Sequence, residues 1–213
     1  MAVGKLDIVN LALMRIGESP IQNMDEGSTP ARSATLLYDI SRRAVLRDYD
    51  WNFAMKLEVL PVVKGDEPGD KLSYSCAVPS DCLRVVEVLP SEGIGPLFVA
   101  DAVGVPPGVT PHSPFRTEWF RVYNGRIYTH IKSPLVKYVR DEENVDLFDS
   151  KFIEAFSYKL AGELAMAVRQ SETLMASMLN AYQAVISKAS EESQNEHDLA
   201  LSQNPYVEVR YGY

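Results

Sequence analysis

Phe120-Arg121-Val122-Tyr123-Asn124-Gly125-Arg126-Ile127-Tyr128-Thr129 decides the fold. Two short runs rich in aromatic and β-branched residues flank Asn-Gly. A two-residue hairpin turn needs positive φ at both central positions, which Asn and Gly tolerate best. The stretch therefore predicts a β-hairpin in the second half of the chain. Upstream, Leu72, Tyr74, Cys76 and Val78 alternate with Ser73, Ser75 and Ala77, the period of a half-buried strand. Pro79-Ser80-Asp81 supplies turn chemistry, and residues 83–89 form another β-rich run. Downstream, residues 135–139 predict a further strand. Gly- and Pro-rich stretches separate these runs, notably 93–96 and the long loop 103–114, which holds Pro106, Pro107, Pro111 and Pro114.

On both sides of this region the apolar period changes from 2 to about 3.6. Residues 5–16 predict a helix with Leu6, Val9, Leu13 and Ile16 on one face, ended by Gly17 and Pro20. A second helix starts where Ser28 or Thr29 can cap and Pro30 suits the first turn, and runs to about Asp48. Its expected apolar stripe is Leu37, Ile40 and Ala44, with Ser33 and Asp48 extending it into polar territory. A third helix is capped by Asp149 or Ser150 and buries Phe152, Ile153, Phe156, Leu160, Leu164 and Ala167, with Lys159 and Glu163 able to pair outside. Ser171 caps a fourth, striped by Met175, Met178, Tyr182, Val185, Ile186 and Ala189. Its acidic end at 190–198 opposes the helix dipole, so it frays or finds a basic partner.

The resulting fold class is α+β, an antiparallel helix bundle with an inserted β-rich lobe. Residues 1–50 and 147–198 make the discontinuous bundle, 51–146 the insertion, and 199–213 a docking tail. Apolar residues form 46% of the 213-residue chain and charged residues 23%, enough to build a core. The formal charge of −8 and pI near 5.0 disfavour tight binding of phosphate backbones, which takes Lys and Arg. No apolar run approaches membrane-spanning length, and no secretory signal pattern opens the sequence, so assembly in a cytosol is expected. Cys76 and Cys82 would then stay reduced, and without nearby His they do not match a zinc spacing.

Catalytic signatures are lacking. His112, His130 and His197 lie in a Pro-rich loop, after a strand and in an acidic helix end, and no HExxH, GxSxG, GxGxxG or P-loop occurs. Asp141, Glu142, Glu143 and Asp146 lack the Gly and terminal Glu of an EF-hand loop and read as a solvated acidic loop. Trp51 and Trp119 have no basic ladder around them and read as core or interface anchors. No enzyme, cofactor or metal site is expected.

Several stretches carry a family resemblance in order. They are Leu11-Ala12-Leu13-Met14-Arg15-Ile16-Gly17-Glu18-Ser19-Pro20; Arg47-Asp48-Tyr49-Asp50-Trp51-Asn52-Phe53-Ala54; Tyr74 through Val78-Pro79-Ser80-Asp81-Cys82-Leu83-Arg84; the Asn124-Gly125 hairpin; and Tyr138-Val139-Arg140 leading to Phe148-Asp149-Ser150-Lys151-Phe152, Ala155, Leu160-Ala161 and Leu164-Ala165. Together they resemble the tail tubular protein A family, head-to-tail adaptors of short-tailed bacteriophages. The resemblance implies a virion structural protein in the tail or neck. It implies a homo-oligomeric ring, typically of twelve copies, that joins the portal protein to the tail nozzle protein, with tail fibres nearby. DNA would pass through the lumen without specific binding, and acidic walls would help by repelling phosphate. Loop 103–114 matches nothing in the family pattern. A different phage connector or head-completion protein is the neighbouring reading. A nucleic-acid-binding module would need a basic groove that the composition disfavours.

Two stretches are candidate interfaces. Arg42, Arg43 and Arg47 give the second helix a basic side, either a solvated face or a contact for acidic residues of another subunit, with 141–146 or 191–198 as candidates. In residues 206–213, Tyr206 precedes Val207, Val209, Tyr211 and Tyr213 on one side of a period-two pattern, with Glu208 and Arg210 on the other. A disordered end is poor in such residues, so this segment is expected to dock on the portal or an adjacent subunit by adding a strand to a sheet edge.

Overall fold

The computed structural model describes residues 3–64, 72–91 and 120–202, with side chains to residue 63 in the first stretch and to 191 in the last. It is α+β and divides into two compact units, Met1–Phe53 with Glu143–Tyr213, and Ala54–Glu142.

The first unit holds four helices. α1 (Lys5–Arg15) begins at Gly4, whose N–H donates to the Asp7 carboxylate at 2.8 Å. It ends as its sequence predicts, with Gly17 at φ 74°, where a side chain would be strained. Asn10 then accepts from the Ile21 N–H (2.8 Å) and donates to the Ile21 carbonyl (3.0 Å), tying the following loop to α1. α2 (Thr29–Asp48) starts at Ser28, whose hydroxyl accepts from the Ala31 N–H.

α3 (Ser150–Arg169) is capped by Asp149, which accepts from the Phe152 N–H at 2.6 Å. It packs against α1, α2 and α4, so it is buried over a wider arc than one stripe. Ala155, Ser157, Ala161, Gly162 and Ala165 join the expected large residues inside, while Ile153 is half-buried and Ala167 exposed. Small residues on that arc let three neighbours approach one helix. A Cβ on Gly162 would sit 3.2 Å from the Leu179 side chain of α4 (Glu172–Ser202). Ser171 caps α4, and Lys159 and Glu163 pair at 3.3 Å on α3.

The burial of α2 departs from its sequence reading. Leu37, Ile40 and Ala44 are not its inner stripe. Ala31, Ala34, Tyr38, Ser41, Arg42, Val45 and Leu46 are buried, and Ile40 is 64% exposed. Both faces satisfy the helical period, so apolar spacing could not choose between them. The face with two polar residues goes inside because both have partners there. Ser41 donates to Glu163 at 2.6 Å, and Arg42 lies 3.4 Å from Asp39 and 3.6 Å from Glu143.

An aromatic cluster fills the region where α2 ends. Trp51 is buried with its ring edge-on to Tyr49 and Phe152, at centroid distances of 4.8 and 5.2 Å. Phe53, Phe148 and Phe156 extend the cluster through Phe152, and Tyr38 meets Phe156 edge-on at 4.9 Å. Trp51 Nε1 donates to the Val45 carbonyl at 2.9 Å, which is among the last four carbonyls of α2 that lack an intrahelical donor.

The second unit is antiparallel β. β1 (Met55–Val59), β7 (Pro134–Arg140) and β4 (Cys82–Pro90) form one sheet in the order β1-β7-β4. β2 (Val63–Lys64), β3 (Tyr74–Ala77), β6 (Arg126–Thr129) and β5 (Phe120–Tyr123) form the other in the order β2-β3-β6-β5. Leu60, Cys76, Val88, Ile127, Val136 and Tyr138 make a core shared by both sheets. The β5–β6 turn carries Asn124 at φ 52° and Gly125 at φ 68°, the geometry the sequence demands. Tyr123 and Tyr128 stack across it at 4.1 Å.

Three details differ from expectation. β1 was not anticipated. Ser75 is buried rather than outward, because its hydroxyl accepts from the Arg126 guanidinium at 3.0 Å. Glu142 is also buried, in an ion pair with Arg140, so the acidic stretch 141–146 is not uniformly solvated. Cys76 and Cys82 are free thiols.

Candidate interaction surfaces

The outward face of α2 follows from the rotation described above. Arg32, Leu36, Ile40, Arg43 and Arg47 recur at steps of four, four, three and four, which is one helical stripe. All five are exposed, Leu36 at 73% and Ile40 at 64%. Single exposed apolar residues need no explanation, but two in adjacent turns flanked by arginines form a patch with both apolar and charged character. Arg42 does not belong to it. Only 1% exposed, it holds Asp39 and Glu143 of its own chain, because the 100° step from residue 43 turns it inward. The expectation that three arginines share one basic side is corrected for Arg42, which is buried, while Arg43 and Arg47 are exposed. Leu36 and Ile40 went unread as surface residues because their spacing also fits a core stripe.

β1 presents the second surface, at the end of its sheet among the described residues. Leu57 and Val59 point outward at 58% and 53% exposure, while Lys56 and Glu58 turn to the opposite face. There they meet Tyr138 and Asp81. Lys56 Nζ lies 3.0 Å from Glu58 and 3.4 Å from Asp81, and the Tyr138 hydroxyl is 2.9 Å from Glu58 and 3.1 Å from Asp81. One phenol has one proton, so it serves one carboxylate at a time, while the Lys56 ammonium lies within reach of both. Hydrogen bonding to Tyr138 and then to Glu58 raises the Lys56 ammonium above its ordinary range. Lys56, then Tyr138, holds Glu58 below the usual carboxylate range. Burial pushes the Tyr138 phenol up to about 12. The cluster borders an open groove of about 870 Å³, floored by Leu60, Pro61, Val62 and Val63 and edged by Pro79 and Arg126. A residue pattern of Lys-x-Glu in a strand carried the signal for this cluster, but its partners lie far away in sequence.

Two outcomes follow for stability. Tyr138→Phe removes a hydrogen bond to a charged group and is expected to cost about 1.5–3 kcal/mol of stability, read as a lowered urea midpoint with unchanged slope. The alkaline limb is the second. Tyr38 and Tyr138 both stand near 12 in the folded chain against 10.0 for the free phenol. A folded pKa raised above the unfolded one gives stability that is complete below the unfolded value and disappears as pH climbs through the folded one. The urea midpoint should hold to pH 10 and fall between 10 and 12, and a flat midpoint across that window contradicts these assignments.

Residues 206–213, with Tyr206, Val207, Val209, Tyr211 and Tyr213, lie outside the described residues, as do loop 103–114, His112 and Trp119. Among the described residues no group of His, Cys, Asp and Glu is arranged to hold a metal ion, and no helix is long and apolar enough to cross a membrane.

The distinctive features of this α+β protein lie on an outward helix stripe and an end strand. Residues 6–92 match the family model described as Tail tubular protein. The match spans α1 through β4, including the Trp51 cluster's first half and both surfaces. No curated protein matches the chain. The family is typically non-enzymatic and belongs to the virion tail, where its members assemble with other virion components and with themselves.

Proposed function

We propose that this protein is a ring-forming head-to-tail adaptor that joins the portal protein to the tail nozzle protein and lines the channel through which DNA leaves the particle. The observation that carries the reading is the match of residues 6–92 to the tail tubular family model. Two features support it. The outward α2 stripe exposes Leu36 and Ile40 between arginines, the mixed apolar and charged character of a contact surface. The net charge of −8 per chain, multiplied around a ring, repels phosphate and favours passage of DNA over retention. Arg43 and Arg47 serve contacts between subunits, and residues 206–213 dock on the portal. The chain assembles in the host cytoplasm before joining the virion.

Infection in the absence of this chain tests the reading. Filled heads without attached tails are expected by electron microscopy, and a supplied copy should restore tailed particles. Tailed particles formed without it would overturn the adaptor role.

A further inference from the structure

Among the described residues β1 and β5 are end strands of their two sheets, and both leave apolar side chains in water: Leu57 and Val59 on β1, Val122 on β5. Proteins usually blunt such edges, because an apolar end strand is a template for pairing. Which backbone groups each edge offers follows from the ladder on its paired side. The Leu60 N–H donates to the Pro134 carbonyl at 3.1 Å, continuing the β1–β7 register. Successive residues of an antiparallel strand turn their N–H and C=O groups to alternate sides. Lys56 and Glu58, in step with Leu60, therefore face β7, and Leu57 and Val59 face the open edge. On β5 the Tyr123–Arg126 pair closes the two-residue turn, so Tyr123 and Arg121 face β6. Phe120 and Val122 then face the open edge.

We propose that β1 of one copy pairs antiparallel with β5 of a second copy, with Leu57 opposite Val122, Glu58 opposite Arg121 and Val59 opposite Phe120. The inference rests on the self-association in the preceding section and names its contact. In this register the outward backbone groups of both strands meet in phase. Leu57, Val59, Phe120 and Val122 share one face, and the opposite charges of Glu58 and Arg121 meet on the other. Arg121 is exposed and makes no ion pair among the described residues. Glu58 takes both Lys56 and the Tyr138 hydroxyl on Oε2, so among the described residues Oε1 is left to accept from Arg121. A second copy is the occupant because the two edges match in hydrogen-bond phase, apolar face and charge, yet do not pair within one chain. The junction makes one sheet of two, β4-β7-β1 of the first copy continuing as β5-β6-β3-β2 of the second. The contact is heterologous, so every copy offers both halves, and repetition closes a ring or extends a filament.

Three full-length variants test it: Arg121→Glu, Glu58→Arg and Val122→Pro. The proline removes an N–H that points to the open edge and spares the β5–β6 ladder, a position that an end strand tolerates. Circular dichroism melts check that each folds. Since Glu58 also belongs to the Tyr138 cluster, the other two variants decide the matter if Glu58→Arg unfolds. In low salt, mass photometry and sedimentation should show each variant alone needing more than about tenfold higher concentration to associate. Arg121→Glu and Glu58→Arg chains mixed together should assemble again, because both junctions between unlike copies pair opposite charges. Arg121→Glu or Val122→Pro chains that assemble like the unmodified chain overturn the contact, and so do two folded charge variants that stay apart on mixing. An unmodified chain that remains monomeric overturns the self-association reading itself, a result distinct from either.

Discussion

Trp51→Ala is expected to cost about 3–5 kcal/mol, the usual range for removing a fully buried Trp or Phe from a core. Three effects combine at this position. The indole leaves a cavity lined by Tyr49, Phe53 and Phe152, whose ring contacts at 4.8–6.4 Å lose their partner. The Val45 carbonyl loses the Trp51 Nε1 donor at the end of α2. Phe152, itself buried, loses one of its aromatic neighbours next to the cap of α3. A cost of that size is a large part of ordinary domain stability of roughly 5–15 kcal/mol. For a chain of this length it lowers Tm by roughly 6–20 °C. Trp51→Phe separates the contributions, since it keeps most of the packing and loses the hydrogen bond, worth about 0.5–1.5 kcal/mol. An alanine variant that melts within about 2 °C of the unmodified chain would contradict the role given to Trp51.

Deleting residues 206–213 should have the largest functional effect. The segment carries three tyrosines and two valines in eight residues, and interface energy concentrates in a few buried aromatic anchors. Ordering the backbone costs roughly 1–2 kcal/mol per residue, so the proposed docking requires a sheet edge that supplies hydrogen bonds and pockets together. The truncated chain should melt as the full chain does and bind the portal more than about tenfold more weakly, because a single lost anchor already removes about 2 kcal/mol. Surface-immobilised portal protein gives the measurement. Full affinity in the truncated chain would remove the docking role. Tyr211→Ala and Tyr213→Ala, tested in the full chain, then show whether the aromatics carry the loss.

The β-hairpin was legible in the sequence because Asn124 and Gly125 meet a backbone demand that few residue pairs can meet. The helix starts were legible for a similar reason: Ser28, Asp149 and Ser171 each cap through an atom of their own side chain, so the information is local. The inward face of α2 was not, since Ser41 is buried by Glu163, 122 residues away, and no periodicity records that partner. β1 went unread because its charged residues, Lys56 and Glu58, face Tyr138 and Asp81 while Leu57 and Val59 face outward. The interface reading followed the same division. Arginine at 43 and 47 was recognisable as surface, Arg42 beside them was not recognisable as buried, and Leu36 and Ile40 became visible as a contact patch once α2 had been oriented.

The central claim is that this chain sits on the portal as a ring. Mixing the purified protein with the portal protein of the same genome and imaging the complex by electron microscopy tests it most directly. The account predicts a second ring of density, coaxial with the portal and with an open lumen. Portal particles that remain bare at saturating concentrations of the full-length chain would contradict it.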